Sequence, residues 1–434
     1  MGKRVFKLKF IGVHMNRIYV LSVVVLLQSL LLGQEELKKI SVKDAIEIGM
    51  RNNPEIKSAL ENISSSKGRF WNGISLQQPE ISFSYEYVPI NMNLNSAGEK
   101  TWGISQSFEF PTNYFLKGSK LNKEEDIAVN RLIIVKRFVI NKIKSGYYKI
   151  LAKQKQVELA EENYKIVEDF FKKAEIRENV GEGTNLEKLT AKVQLSEAVN
   201  NLEVIRNELK SASIDLKYTL GNGEHDKNYI LKDSLVFIDY KIDSDILYKN
   251  TELENPQIKI AELENEIASV EKGLAWTSLL PNFNLAYYKQ TLDGDNGFYG
   301  ASLGISIPLW FAMDQRGKIQ EAVANKSKSE SELLLMRNEI NLKLKRALLE
   351  YENNVKLIKM YIDEIQPQAE EVYKAALKNY DAGEISYLEY LQAKQLLVNS
   401  KYNYVNSLFN YYQTIFNMEE ITGINLIDKS EPEN

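Results

Sequence analysis

Two glutamates, Glu187 and Glu389, recur at matching points of this 434-residue chain. They sit in the tracts GEGTNLEKLTAK, from Gly181, and GEISYLEYLQAK, from Gly383, which agree at 7 of 12 positions. Each glutamate follows a glycine-bearing turn and opens an apolar helical pattern. The chemistry such a position offers by itself is electrostatic, because a carboxylate near a helix N-terminus is favoured by the helix dipole. General acid/base or nucleophilic catalysis would need convergent partners in a pocket, and turn positions supply no such constellation. The remaining inventory is thin. There is no cysteine, which excludes disulfides, thiol catalysis and cysteine-held metals. The two histidines, His14 and His225, are far apart, so neither a metal site nor a cofactor is expected.

The elements that carry these glutamates are duplicated. NPEIKSA at 53–59 returns as NPQIKIA at 255–261, and Pro79/Pro281 and Gly221/Gly423 keep the same offset of 202 residues. A period of that length is far beyond a solenoid unit and marks a duplicated half-molecule. The boundaries read as a presequence over 1–33, a first repeat over 34–221, an inter-repeat segment over 222–245, a second repeat over 246–424 and a tail over 425–434. Residues 18–32, IYVLSVVVLLQSLLL, follow Arg17 and have the length of a signal-peptide core, too short to span a bilayer comfortably. Gln34 stands where a lipobox would need cysteine, so an exported chain without an N-terminal lipid anchor is expected. Without residues 1–33 the chain keeps 50 basic against 59 acidic side chains, which argues against nucleic acid as a partner.

Each repeat carries two stretches of strand period. Phe83, Tyr85 and Tyr87 alternate with polar residues, and Phe283, Leu285 and Tyr287 do the same; Trp102, Ile104, Phe108 and Phe110 share a face interrupted by Gln106; Ala301, Leu303, Ile305 and Ile307 alternate with Gly and Ser. Strands are expected at 80–88, 102–110, 282–290 and 299–307, each about the length of a tilted transmembrane strand. Four strands cannot close a barrel, so they form either a soluble sheet or one part of a barrel pooled from several chains.

Between the hairpins the pattern is helical. Long helices are expected over 120–180 and 319–381, the second kinked by Pro367, and shorter ones over 54–76, 186–220, 256–279 and 386–420. Within each repeat the two short helices together match the long one in length. Leu388, Leu391, Val398, Tyr402, Val405, Phe409 and Tyr412 follow 3-4 spacing along one seam, as in a coiled coil or the core stripe of a helical bundle.

The duplicated order of strand hairpin, Pro-aromatic turn with Gly-Lys (Pro111 to Lys120 and Pro308 to Lys318), long helix, Gly-Glu turn and Leu-x-x-Leu-x-Ala helix resembles the TolC-type outer-membrane efflux proteins. The tract YDAGEISYLEYLQAKQLLVNSKYNY from Tyr380 is similar to that family's most characteristic stretch, and the resemblance covers roughly residues 41 to 424. It implies a mostly α fold with a small β part, in which duplicated long-helix hairpins form a trimeric α-barrel tunnel. Four strands per chain would contribute to a 12-stranded outer-membrane β-barrel. The implied function is an exit duct, anchored in outer-membrane lipid and extending into the periplasm. It would be coupled through a periplasmic adaptor, a membrane fusion protein, to an inner-membrane pump of RND or ABC type. Residues 222–245 and the tail would belt the tunnel. By the same resemblance Glu389 and Glu187 fall on the gate carboxylates of the two repeats, and Tyr380 on the tyrosine that ties the inner hairpin to Glu187. Ile385 replaces an arginine latch, and Gln392 replaces a second acidic residue. The turns at Gly181, Glu182 and Gly183 and at Gly383, Glu384 and Ile385 would be the adaptor-contacting tips. A periplasmic coiled-coil scaffold or adaptor is the alternative, which would keep the helices and leave the strands without a use.

Overall fold

The computed structural model describes residues 38–90, 93–221, 223 and 227–427. The expected presequence, both histidines and the tail beyond residue 427 lie outside them. In chain order the elements are β1 (Lys38–Ile40), α1 (Val42–Asn52), α2 (Pro54–Ile74), β2 (Glu80–Glu86), β3 (Glu99–Phe108), α3 (Pro111–Asn179), α4 (Asn185–Leu220), β4 (Tyr229–Leu231), α5 (Ser244–Glu254), α6 (Pro256–Thr277), β5 (Asn282–Leu292), β6 (Asp295–Ser306), α7 (Asp314–Met360), α8 (Gln366–Asp381) and α9 (Tyr387–Thr422). Among the described residues no helix is long and apolar enough to cross a membrane.

The chain forms two compact units that do not follow the sequence repeat. One holds β1, α1, α3 from Gly146 onward, α4 and β4. The other holds the remaining elements.

In the first unit β1 and β4 pair in parallel, Ile40 opposite Leu231. The Tyr147 hydroxyl donates to the Ile40 carbonyl at 2.9 Å, and the Asp233 carboxylate accepts from Val42 N at 2.9 Å. A segment read only as a belt thus contributes a strand. At three residues it is too short to show any alternation. Ser41 and Asp44 cap α1 reciprocally: Ser41 N donates to Asp44 Oδ2 at 2.8 Å, and Asp44 N donates to Ser41 Oγ at 3.2 Å.

In the second unit α6 and α9 both pack on α7. Arg337 of α7 pairs with Glu262 of α6 at 2.7 Å, and Asn354 donates to Thr414 of α9 at 3.0 Å. The Asn255 side chain, which caps α6, donates to the Ile421 carbonyl at 2.8 Å, so α6 begins where α9 ends. Tyrosine fills this core. Tyr351 and Tyr411 donate to the carbonyls of Tyr240 and Ile238, and Tyr411 meets the rings of Phe237, Tyr351 and Tyr412 at 5.3–5.6 Å. Below it Lys144 and Glu419 form a buried ion pair at 2.6 Å. The other Glu419 oxygen accepts from Leu426 N at 2.8 Å, which pins the chain after α9.

Both long helices start earlier than the sequence suggests. α3 opens at Pro111 rather than Lys120, with proline in the first turn where no donor is needed. Gly118, which reads as a boundary, lies inside the helix, where a Cβ would sit 3.6 Å from Ile74 of α2. α7 opens at Asp314 rather than at residue 319. The interruption expected at Pro367 falls one turn ahead of it: Tyr361–Ile365 form a π turn, and α8 resumes with Pro367 in its first turn.

The four strands form one antiparallel sheet in the order β2-β3-β5-β6, leaving one edge of β2 and one of β6 unpaired. They run 80–86, 99–108, 282–292 and 295–306, offset by two to four residues at several ends from the expected spans. The register brings the four alternations together on one face. Ile81 is opposite Ile104, which is opposite Tyr287, which is opposite Ala301; Phe108 is opposite Phe283, which is opposite Ile305; and Leu285 is opposite Leu303. This face has polar exceptions: Gln106 donates to the Gln77 carbonyl at 2.6 Å, Lys289 stands opposite Trp102 and Tyr299, and Lys100 stands between Tyr85 and Thr291. The reverse face carries Ser82, Ser84, Ser105, Ser107, Asn284, Ser302 and Ser306. Its one large aromatic residue between paired neighbours, Tyr288, stands opposite Gly103 and Gly300. A side chain at Gly300 would collide with the Tyr288 ring.

Candidate functional site

Glu187 and Glu389 lie at the two helix reversals, one in each unit, and the two reversals share a backbone design. After α3, Gly181 takes φ 79°, Gly181 N donates to Glu178 O at 3.1 Å, and Glu182 N donates to Arg177 O at 2.9 Å. After α8, Gly383 takes φ 75°, Gly383 N donates to Tyr380 O at 3.0 Å, and Glu384 N donates to Asn379 O at 2.8 Å. Both are Schellman endings with glycine in the left-handed position that a side chain would resist. The next helix then starts on a hydroxyl cap: Thr184 Oγ1 accepts from Glu187 N at 3.1 Å, and Ser386 Oγ accepts from Glu389 N at 3.4 Å.

Glu389 is fully exposed, and its carboxylate is engaged by its own helix start. Oε2 accepts from Ser386 N and from Ser386 Oγ, both at 2.8 Å, completing a capping box. Those two bonds, the backbone one first, hold its pKa below the usual glutamate value. This local role was open to sequence reasoning, since Thr-x-x-Glu and Ser-x-x-Glu are the capping-box signature. Gln392 is exposed on the same helix, one turn further on.

Tyr380 stacks on Tyr390 with ring centroids 5.3 Å apart, and Tyr390 in turn meets Tyr373 at 6.1 Å; Tyr387 lies 6.3 Å from Tyr380. Tyr390 is almost wholly buried, which pushes its phenol pKa up. Of these four, only Tyr380 is marked by the family resemblance. The others follow from the heptad-like spacing of α8 and α9, where tyrosines at 373 and 380, and at 387 and 390, face each other. One turn beyond Tyr390, Lys394 is buried, and desolvation brings its pKa down to about 8.

The reversal in the first unit is polar instead. Lys188 pairs with Glu178 at 3.3 Å and Glu175 at 3.6 Å, and Arg177 donates to the Glu182 carbonyl at 3.4 Å. Glu182 and Glu384 are exposed in the two turns, whereas Ile385 is half-buried and Gly183 packs against the Arg177–Glu178 backbone at the end of α3. Among the described residues no cluster of three or more His, Cys, Asp or Glu is placed to hold a metal ion.

The fold has counterparts among solved structures. The Campylobacter jejuni CmeC outer membrane channel superposes with a TM-score of 0.76 at 14% identity, over 88% of this chain and 85% of that one. CusC gives a TM-score of 0.76 at 17% identity, over 88% and 92%. VceC of Vibrio cholerae gives 0.74 at 16%, over 89% and 96%. In sequence, the cobalt-zinc-cadmium resistance protein CzcC of Cupriavidus metallidurans is 20% identical over 371 residues, 84% of this chain and 85% of CzcC. Residues 247–423, the second repeat from within α5 to the cap of α9, match the outer membrane efflux protein family model. The elements of that span recur through the first repeat, and the chain as a whole shares the fold of these outer membrane channels.

Proposed function

We propose that three copies of this chain assemble into the outer-membrane exit duct of a tripartite efflux system, receiving cargo from an inner-membrane pump of RND or ABC type through a periplasmic adaptor. The observation that carries this reading is the sheet: one face predominantly apolar, the other predominantly small and polar, and an unpaired edge on each side. Unpaired strand edges in lipid leave backbone groups without partners at several kcal/mol each, so one chain is not a stable membrane object. Pairing β6 of one copy with β2 of the next, three times, closes a twelve-strand barrel with no edge. The apolar face then meets lipid and the serine-rich face lines the lumen.

The reversals are the periplasmic tips in this assembly. Gly181, Glu182 and Gly183, with Gly383, Glu384 and Ile385, present six exposed turns per trimer to the adaptor. Glu187 and Glu389 ring the entrance with carboxylates, favouring cations as such rings do in channels. Gln392 lies a turn beyond them, and Tyr380 holds α8 against α9 through Tyr390.

The barrel assignment is tested by arginine substitution on the two faces of β6. Leu303→Arg or Ile305→Arg should cost about 2–4 kcal/mol near the midplane, whereas Ser302→Arg and Ser306→Arg should fold as the parent does. Equal sensitivity of both faces in an outer-membrane folding assay would refute it. For the entrance, Glu187→Gln with Glu389→Gln should weaken cation preference in planar bilayers. Unchanged selectivity would move the constriction elsewhere.

A further inference from the structure

The two hairpin roots, where strand passes into long helix, are built differently although the sequence repeat places them alike. In the first repeat the root is closed by polar contacts. Glu109 accepts from Lys117 Nζ at 2.6 and 2.7 Å and from Asn113 Nδ2 at 3.3 Å, and α3 starts directly at Pro111. In the second repeat β6 ends at Ser306 and α7 starts only at Asp314. The turn between them holds Leu309, Trp310, Phe311 and Met313, each 58–85% exposed. From Asn296 to Met313 no Asp, Glu, Lys, Arg or His occurs, and then Asp314, Arg316 and Lys318 follow at once.

The turn follows directly on the strand that carries Leu303 and Ile305 on the face with Leu285 and Phe283. It is closed by hydrogen bonds from Met313 N and Asp314 N to the Trp310 carbonyl, at 3.1 and 3.3 Å. Height places it at the membrane boundary. From Tyr299 to Ile307, a strand rising about 3.3 Å per residue and tilted by about 40° climbs roughly 20 Å. The apolar band of an outer-membrane barrel is about 25 Å tall, so its inner boundary falls just past Ile307, at the turn. Leucine, tryptophan, phenylalanine and methionine with cations immediately behind them are the composition of a segment lying in a lipid interface.

We propose that the turn of residues 307–313 is a membrane wedge, seated in the inner-leaflet interface of the outer membrane. Trp310 and its apolar neighbours lie among lipid glycerols and upper acyl chains, and Arg316 and Lys318 lie at phosphate height. The partner is phospholipid, and the inference rests on the barrel reading above. Each trimer would carry three such wedges.

Tryptophan depth tests it on the assembled full-length trimer. Trp71, Trp102 and Trp276 are replaced by phenylalanine to leave Trp310 alone, and the trimer is reconstituted in vesicles of phosphatidylcholine brominated near the carbonyl end of its acyl chains. Trp310 emission should fall by more than half relative to unbrominated lipid, and aqueous iodide should quench it less than twofold. A companion protein keeping only Trp102, on the apolar face of β3, reports the barrel itself. Quenching of Trp102 by bromolipid without quenching of Trp310 overturns the wedge and leaves the barrel standing, whether iodide reaches Trp310 or a neighbouring copy covers it. Absence of quenching at Trp102 overturns both. Should the single-tryptophan chain fail to assemble, a nitroxide on Met313→Cys in the otherwise unchanged, cysteine-free chain reads the same depth. Its collision rate with oxygen should exceed that with a soluble nickel chelate, and the reverse order overturns the wedge.

Discussion

The α3–α4 reversal and the α8–α9 reversal use the same glycine ending and the same hydroxyl cap, yet different side chains hold their helices. The first relies on Lys188 between Glu175 and Glu178, ion pairs at least a quarter exposed to solvent. The second relies on four tyrosines, one of them, Tyr390, only 3% exposed. Exposed ion pairs contribute about 0–1 kcal/mol and weaken with salt, whereas each packed aromatic pair adds about 0.5–1.5 kcal/mol beyond the area it buries. Duplication thus preserved the backbone geometry of the tip and left its rigidity free to diverge. Of the two reversals, the polar one is the more readily loosened.

The largest expected effect tests that inequality directly. Tyr390→Ala removes a buried ring and should destabilise the α8–α9 tip by about 3–5 kcal/mol, whereas Lys188→Ala should change the α3–α4 tip by no more than about 1 kcal/mol. Hydrogen exchange of the tip amides in the assembled trimer reads both. Similar losses at the two tips would remove the distinction. Salt sharpens it: going from 0.1 to 1 M should speed exchange after α3 and leave α8–α9 unchanged.

An intermediate effect should be equal at the two ends, because the backbone is. Gly181→Ala and Gly383→Ala each force a Cβ into the left-handed region and should each cost about 1–2 kcal/mol. A marked difference between them would mean that the shared turn geometry is not what the glycines serve.

Much of this was legible in the sequence because it is periodic or punctuated. The strands announce themselves by alternation, the reversals by Gly-Glu followed by Thr-x-x-Glu or Ser-x-x-Glu, and the duplication by its constant offset. What escaped were features with no period. β4 has three residues, and its pairing with β1 is set by the Tyr147 and Asp233 bonds, which no local pattern reveals. The starts of α3 and α7 were placed late because Gly118 and Gly317 read as breaks, although a glycine inside a long packed helix costs only about 1 kcal/mol and neighbours absorb that. The Ser-x-x-Glu spacing allows a bond from Ser386 to the Glu389 carboxylate but does not show that it forms. That bond depends on a rotamer and not on spacing alone.

The smallest effect concerns that bond and acid. Because Ser386 holds the Glu389 pKa below its ordinary value of 4.5, the stability contributed by the ionised cap is complete above about pH 4.5 and is lost as pH falls through the lowered folded value. Moving from pH 7 to pH 5 should therefore leave α8–α9 protection factors unchanged, and loosening should begin only below pH 4.5. Ser386→Ala removes the hydroxyl that both donates to Glu389 and caps its backbone. It should cost about 1 kcal/mol at pH 7, and the Glu389 pKa should move back up. A titration of the Glu389 carboxyl by carbon-13 NMR separates the parent from the variant. If both titrate alike, the capping box does not set this glutamate's charge, and the bond from Ser386 is not what holds the carboxylate ionised.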